Sequence, residues 1–355
     1  MRLFSAASAL LLSSTVAGWP HPANSNHHRR SDYWDLKKFK SLVAFGDSYT
    51  DEDRLTYFAE HNGSAPPVGW VEPESYSTSS GGRIWARYVA DYAGVNLYDY
   101  AVSGATCSNK LVSRYYDAIN APFPDVDGYE LPAFLDDKAY TVNGTAFLDI
   151  PPEQTVYSLW IGTNDLGNYA YLTDSQTPGK TLVDYLDCVY TQFDRMYKSG
   201  GRYFVLMNLA PLQLTPQYSV PADGNYASQQ TGYNATERSY RMWEQVVLCN
   251  DVYDKQTPFD LLIKQRYPEA HFAIMNTYGL LSDIYHNPEN YLNGTSPLNV
   301  TGYSSSCKTA SGATCEDPDS FMWYDALHPS EQTDRVIARN FVDVVRGDSQ
   351  WATYW

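Results

Sequence analysis

Two short stretches of the chain combine residue types that can move protons. Asp325-Ala326-Leu327-His328-Pro329 places a carboxylate three residues before an imidazole, and Phe45-Gly46-Asp47-Ser48 ends an apolar run on a hydroxyl. A serine hydroxyl is a poor nucleophile at neutral pH and needs an adjacent base. An imidazole whose Nδ1–H is held by a carboxylate presents Nε2 to take that proton. The chemistry within reach is acyl transfer, with Ser48 as nucleophile, His328 as base and Asp325 orienting the ring. Such a reaction also needs donors for a developing oxyanion. The Ser48 backbone N–H can face that charge, and two further glycine-bearing turns, Ser103-Gly104-Ala105 and Gly162-Thr163-Asn164-Asp165, stand later in the chain.

These groups are far apart in sequence, so elements that converge must carry them. Leu42 to Phe45, Asn96 to Val102 and Val156 to Ile161 read as strands, and the three turns follow them. Tyr203 to Leu209 and His271 to Met275 read as two more. Helical spacing marks Ile84 to Tyr92, Leu182 to Tyr197, about Thr236 to Arg266, and Ser330 to Val345. Strands alternating with helices pair in parallel through right-handed crossovers, which predicts an α/β protein of helix–sheet–helix layers. Its site should lie at the carboxyl ends of the strands, where the three turns meet.

Phe45-Gly46-Asp47-Ser48-Tyr49, Gly104, Gly162-Thr163-Asn164-Asp165 and Asp325-Ala326-Leu327-His328 resemble, in order, the four sequence blocks of the GDSL, or SGNH, hydrolase superfamily. The resemblance runs from about residue 41 to 346 and is nearest to secreted fungal acetyl esterases of carbohydrate esterase family 16. It implies Ser48, Asp325 and His328 as the catalytic triad. It implies an oxyanion hole of the Ser48 and Gly104 N–H groups with the Asn164 side chain. It also implies a three-layer α/β/α sandwich, flavodoxin-like, with a five-stranded parallel sheet. Tyr49 replaces the leucine that names the motif, a change that bears on the lining of the site.

Composition narrows the function. The 41 Asp and Glu against 25 Lys and Arg give a formal charge of −16 with no basic run in the body, which argues against a nucleic-acid partner. No later segment is long and apolar enough to span a bilayer, so no stable membrane association is expected. The chain lacks Gly-x-Ser-x-Gly, His-Glu-x-x-His, Cys-x-x-Cys and Gly-x-Gly-x-x-Gly, so signatures for the lipase elbow, zinc or dinucleotide cofactors are absent, and no cofactor or metal is predicted. The acidic run from Asp125 to Asp137 does not match a calcium loop and reads as a solvated loop. The 31 Tyr and 9 Trp with an acidic surface suit a polar, neutral ester better than a lipid interface. The expected substrate is a small-molecule or oligosaccharide ester, such as acetylated hemicellulose. A GDSL lipase or lysophospholipase is the alternative within the esterases, and a noncatalytic carbohydrate-binding protein the alternative outside them. Tyr49, Tyr169 and Trp323 are candidate substrate contacts, with Tyr115, Tyr116, Phe123 and Tyr129 on the long connection after Gly104.

Residues 1–18 read as a signal peptide, with Arg2, a mostly apolar stretch from Leu3 to Ala17 and a small-residue cleavage site at Val16-Ala17-Gly18. Residues 19–30, ending in Arg29-Arg30, are either a propeptide or a disordered N-terminus, and 31–355 form a single domain. Sequons at Asn62, Asn143, Asn234, Asn293 and Asn299 fit a secreted, extracellular protein. In an oxidising compartment Cys307 and Cys315 are expected to pair. The pairing of Cys107, Cys188 and Cys249 stays open, with a buried inert thiol expected for the odd one. The sequence leaves the oligomeric state open.

Overall fold

The computed structural model describes residues 33–220, 234–306 and 317–355. Its central sheet has six strands: β1 (Ser41–Gly46), β2 (Asn96–Asp99), β3 (Thr155–Trp160), β4 (Tyr203–Met207), β5 (His271–Met275) and β6 (Ala352–Tyr354). The order across the sheet is β6-β5-β4-β3-β1-β2. All neighbours run parallel except β6, which pairs antiparallel with β5. The expected five parallel strands are therefore joined by a sixth. It is only three residues long, too short for sequence periodicity to reveal.

The helices are α1 (Arg54–Glu60), α2 (Trp85–Ala93), α3 (Leu131–Ala139), α4 (Thr163–Leu166), α5 (Leu182–Lys198), α6 (Ala235–Pro258), α7 (Thr277–His286) and α8 (Glu331–Arg346). One layer packs α2 on α8, with the Trp85 and Phe341 rings 4.8 Å apart. The other packs α5 against both α3 and α6. Covered on both faces, β1 and β3 are buried at every position, as a central parallel strand requires. The helix expected to run to Arg266 stays α-helical only to Pro258 and continues as a wider turn over Phe259–Ile263. Pro258 has no N–H to extend the ladder.

The chain steps from β1 outward to β2 and then back across β1 to β3, so the strand order reverses between β1 and β3. A crevice opens at such a reversal, at the carboxyl ends of the two strands. There Gly46 pairs with Trp160, and a Cβ on residue 46 would stand 2.4 Å from the Trp160 carbonyl oxygen. Glycine is what lets the two strand ends close to that distance.

The acidic run is not a solvated loop. Val126–Glu130 forms a wide helical turn leading into α3, and Asp125, Glu130 and Asp137 are buried as acceptors, while Asp136 stays exposed. Asp125 takes the N–H groups of Asn109 and Gly128, and Asp137 takes Tyr100 Oη at 2.8 Å and Gly69 N–H at 2.7 Å. Glu130, fully buried, receives Gly46 N–H at 3.0 Å and so braces the end of β1.

Candidate active site

The turn after β1 is wound tightly. The N–H groups of Thr50 and Asp51 both donate to the Asp47 carbonyl, at 2.8 and 2.9 Å, and Tyr49 N–H donates to Asp47 Oδ1 at 3.0 Å. Burial raises Asp47 to about 6, against the opposing pull of Tyr49 N–H and His328. The turn presents Ser48 Oγ 2.7 Å from His328 Nε2.

His328 arrives from the far end of the chain. Phe321–Trp323 leads into the turn and α8 leads out of it, and the Tyr324 N–H donates to the His328 carbonyl at 2.9 Å to close the loop. Ser330 fixes the exit: its Oγ donates to the Phe321 carbonyl at 2.6 Å and caps α8 by accepting from Thr333 N–H. Inside the loop, His328 Nδ1 lies 2.9 and 2.8 Å from the Asp325 oxygens. Asp325 also accepts the N–H groups of Leu327 and His328, each at 2.8 Å. Burial works against its charge, yet the ring and these N–H groups more than offset that, so Asp325 lies below its usual pKa. An ionised Asp325 holds the proton on Nδ1 and leaves Nε2 as the acceptor for Ser48.

Two of the turns expected to supply oxyanion donors are joined directly. Asn164, in α4 directly after β3, donates Nδ2–H to the Ala105 carbonyl at 2.9 Å, which joins the third turn to the Gly104 loop. Gly104 has φ +87°, and a Cβ there would meet the Phe123 ring at 2.5 Å. Among the described residues neither Ser48 N–H nor Gly104 N–H donates to a protein acceptor.

The GDSL-like lipase/acylhydrolase family model matches residues 42–341. This chain belongs to that family. An acetylesterase of Hypocrea jecorina is 41% identical over 326 residues, spanning 89% of this chain and 92% of its own length. An acetylesterase of Thermothelomyces thermophilus is 24% identical, over 87% and 89% of the two chains. Among solved structures, an acetylxylan esterase of Geobacillus stearothermophilus is a distant likeness, with a TM-score of 0.43 and 14% identity over 87% of this chain and 94% of its own. The protein is a carboxylic ester hydrolase of the GDSL type.

Around the site of this GDSL hydrolase, the aromatic residues divide. Trp323 is not a substrate wall: it is fully buried and its indole N–H donates to the Val300 carbonyl at 2.8 Å. Tyr49 is likewise enclosed, its ring edge-on to Trp160 and His328 and its Oη donating to the Leu327 carbonyl at 2.7 Å. It supports the His328 turn from beneath. Tyr129 turns away to Arg54 and Phe58. Tyr169 is 73% exposed, five residues after Asn164. Phe123, stacked on Tyr116 at 4.8 Å, lies directly against Gly104.

Sequence reasoning missed several supports of the site. Cys107, three residues beyond Gly104, is disulfide-bonded to Cys188 of α5. Arg114 donates to the Gly104 carbonyl at 2.5 Å and covers the Phe123 ring. Their positions just after Gly104 were the only available signal. Cys249 is the odd thiol, buried and pushed up to about 12 by burial. The expected Cys307–Cys315 pair and the leader over residues 1–30 lie outside the described residues. Of the sequons, Asn62, Asn143, Asn234 and Asn293 are exposed, whereas Asn299 is half-buried and its Oδ1 accepts from Thr301 and Gly302 N–H. Among the described residues no helix is long and apolar enough to cross a membrane, and no group of His, Cys, Asp or Glu side chains could hold a metal.

Proposed function

We propose that this protein is a secreted serine esterase that removes acetyl and other short acyl groups from carbohydrates such as hemicellulose oligosaccharides, through an acyl-enzyme on Ser48. The observation that carries the proposal is the 2.7 Å contact of Ser48 Oγ with His328 Nε2, in a ring whose other nitrogen is held by Asp325. In this reading Ser48 Oγ attacks the ester carbonyl carbon as its proton passes to Nε2. The carbonyl oxygen becomes an oxyanion received by the N–H groups of Ser48 and Gly104 and by the Asn164 amide. Collapse breaks the bond to the sugar oxygen, which takes the proton from His328, and the acyl group stays on Ser48. Water then attacks, His328 accepts its proton and returns it to Ser48, and the carboxylic acid departs.

The acyl preference is supported by the acetylesterase identity of the 41% relative. Secretion is supported by the Cys107–Cys188 disulfide, by the apolar N-terminal stretch and by four exposed sequons. For the sugar, the stacked Tyr116–Phe123 pair beside Gly104 and the exposed Tyr169 ring offer flat apolar faces. The deciding experiment is an acyl-chain series on one leaving group, followed by acetylated oligosaccharides. Acetate should be cleaved fastest and Ser48→Ala should abolish it. Faster cleavage of octanoate, or activation at a lipid interface, would replace this reading with a lipase or lysophospholipase. Sugar binding without turnover of an aryl acetate would replace it with a lectin.

A further inference from the structure

The segment Ser103 to Cys107 carries Gly104 and belongs to no helix or strand, so no ladder fixes the direction of its N–H groups. Backbone bonds hold its middle, Ala105 N–H to the Val102 carbonyl at 2.9 Å and Val126 N–H to the Thr106 carbonyl at 3.1 Å, and side chains from two other turns hold its ends. At its start, Ser103 N–H donates to Asp51 Oδ2 at 2.7 Å, while Asp51 Oδ1 takes Arg54 N–H at 2.7 Å. At its end, Cys107 N–H lies 3.0 and 3.1 Å from the two oxygens of Asp165. Asp51 follows Ser48 by three residues, and Asp165 follows Asn164 directly.

Both carboxylates are buried, at 4% and 0% exposure, and among the described residues neither forms a salt bridge. Burying a carboxylate without a cation is costly. Helix capping would explain the bonds from Arg54 and Leu55 N–H, and a serine or asparagine caps as well. It leaves unexplained the two bonds to residues 52 and 58 positions away. We infer that Asp51 and Asp165 are positioning residues that hold the Gly104 N–H in register with the Ser48 and Asn164 turns. A carboxylate accepts from divergent N–H groups and presents no donor of its own, so one side chain can lock two turns together. Each brace runs to a turn that itself supplies an oxyanion donor, and the Asn164–Ala105 bond closes the third side. The donors thus stand oriented before the charge develops, where preorganisation is most effective. This inference rests on the assignment of Ser48, Gly104 and Asn164 proposed above.

The test is steady-state kinetics on an aryl acetate for Ser48→Ala, Asp51→Asn, Asp165→Asn and Asp165→Ala, each verified as folded by its melting transition. Asp51→Asn must aim an NH2 at one or more of its three N–H partners, Arg54, Leu55 and Ser103, so kcat should fall at least about tenfold with KM within about twofold. Asp165→Asn should be milder, because one oxygen still reaches Cys107 N–H, and Asp165→Ala should match Asp51→Asn. Either loss should combine less than multiplicatively with Asn164→Ala. Full kcat in folded Asp51→Asn and Asp165→Ala enzymes, with Ser48→Ala inactive, overturns the positioning role alone. Activity in Ser48→Ala overturns the underlying assignment instead. Should a variant not fold, amide exchange at Ser103 and Cys107 in the unaltered protein decides. Slow exchange is expected, and exchange as fast as at an exposed loop overturns the inference.

Discussion

Gly104 has two independent reasons to be glycine: its φ of +87° and the Phe123 ring that a Cβ would strike at 2.5 Å. Gly104→Ala should therefore destabilise by about 1–3 kcal/mol and depress kcat as well, because relief moves the N–H proposed to receive the oxyanion. Adding Phe123→Ala removes the clash but not the backbone strain, so activity should recover only in part. An undiminished kcat in Gly104→Ala would show that this N–H takes no part. Asn164→Ala removes one proposed oxyanion donor, a change for which losses of about 10²–10³ in kcat are usual with KM little changed. Unchanged kcat would reduce Asn164 to a turn residue. In the proposed mechanism Ser48 and His328 act in one step, so Ser48→Ala and His328→Ala should each remove most turnover and the pair little more.

At the scale of elements, the disulfide joins the oxyanion loop to α5 across 81 positions of sequence. Cys188→Ser should lower stability by about 2–4 kcal/mol in urea. It should also lower kcat at temperatures where the protein stays folded, since Cys107 ends the segment that carries Gly104; a pure stability loss would uncouple the two. The strands β1 and β3, which lead to Ser48 and Asn164, were legible because they are short apolar runs bounded by polar or glycine turns. The helix α3 was not, because Glu130 and Asp137 before and within it read as surface acids, and only tertiary donors such as Gly46 N–H and Tyr100 Oη turn them inward. Trp323 failed for a similar reason. Its nearness to Asp325 in sequence was clear, but the parallel pairing of Phe321–Trp323 with Asn299–Tyr303, which supplies the Val300 carbonyl, is not a local pattern.

Across the whole molecule, the buried acids set how stability follows pH. Burial raises Asp47 to about 6 and Asp165 to about 7. A carboxyl whose folded pKa exceeds its unfolded value binds its proton more tightly in the native state, so stability is greatest below that window and falls as pH rises through it. Asp325 has the opposite sign, and its contribution is lost on acidification below the ordinary carboxylate range. The formal charge of −16 adds self-repulsion as the pH climbs. Urea midpoints should therefore decline from about pH 5 to about pH 7, and Asp165→Asn should flatten the slope. A midpoint that rises over that interval would contradict the buried acids' role. Finally, β5 brings together residues from opposite ends of the described chain. His271 Nδ1 contacts the Tyr33 carbonyl at 2.7 Å, while Phe272 exchanges both backbone hydrogen bonds with Trp355. Trp34 packs on Tyr203 and Tyr354 and donates to the Val345 carbonyl at 2.6 Å. Residues 33 and 355 thus flank one strand position, on the far side of the sheet order from β2. A circular permutant that joins them through a flexible linker of about six residues and reopens at the exposed Asn143-Gly144 hairpin tip should fold and keep its esterase activity, since no residue of the proposed triad or of the Gly104 braces lies at either cut.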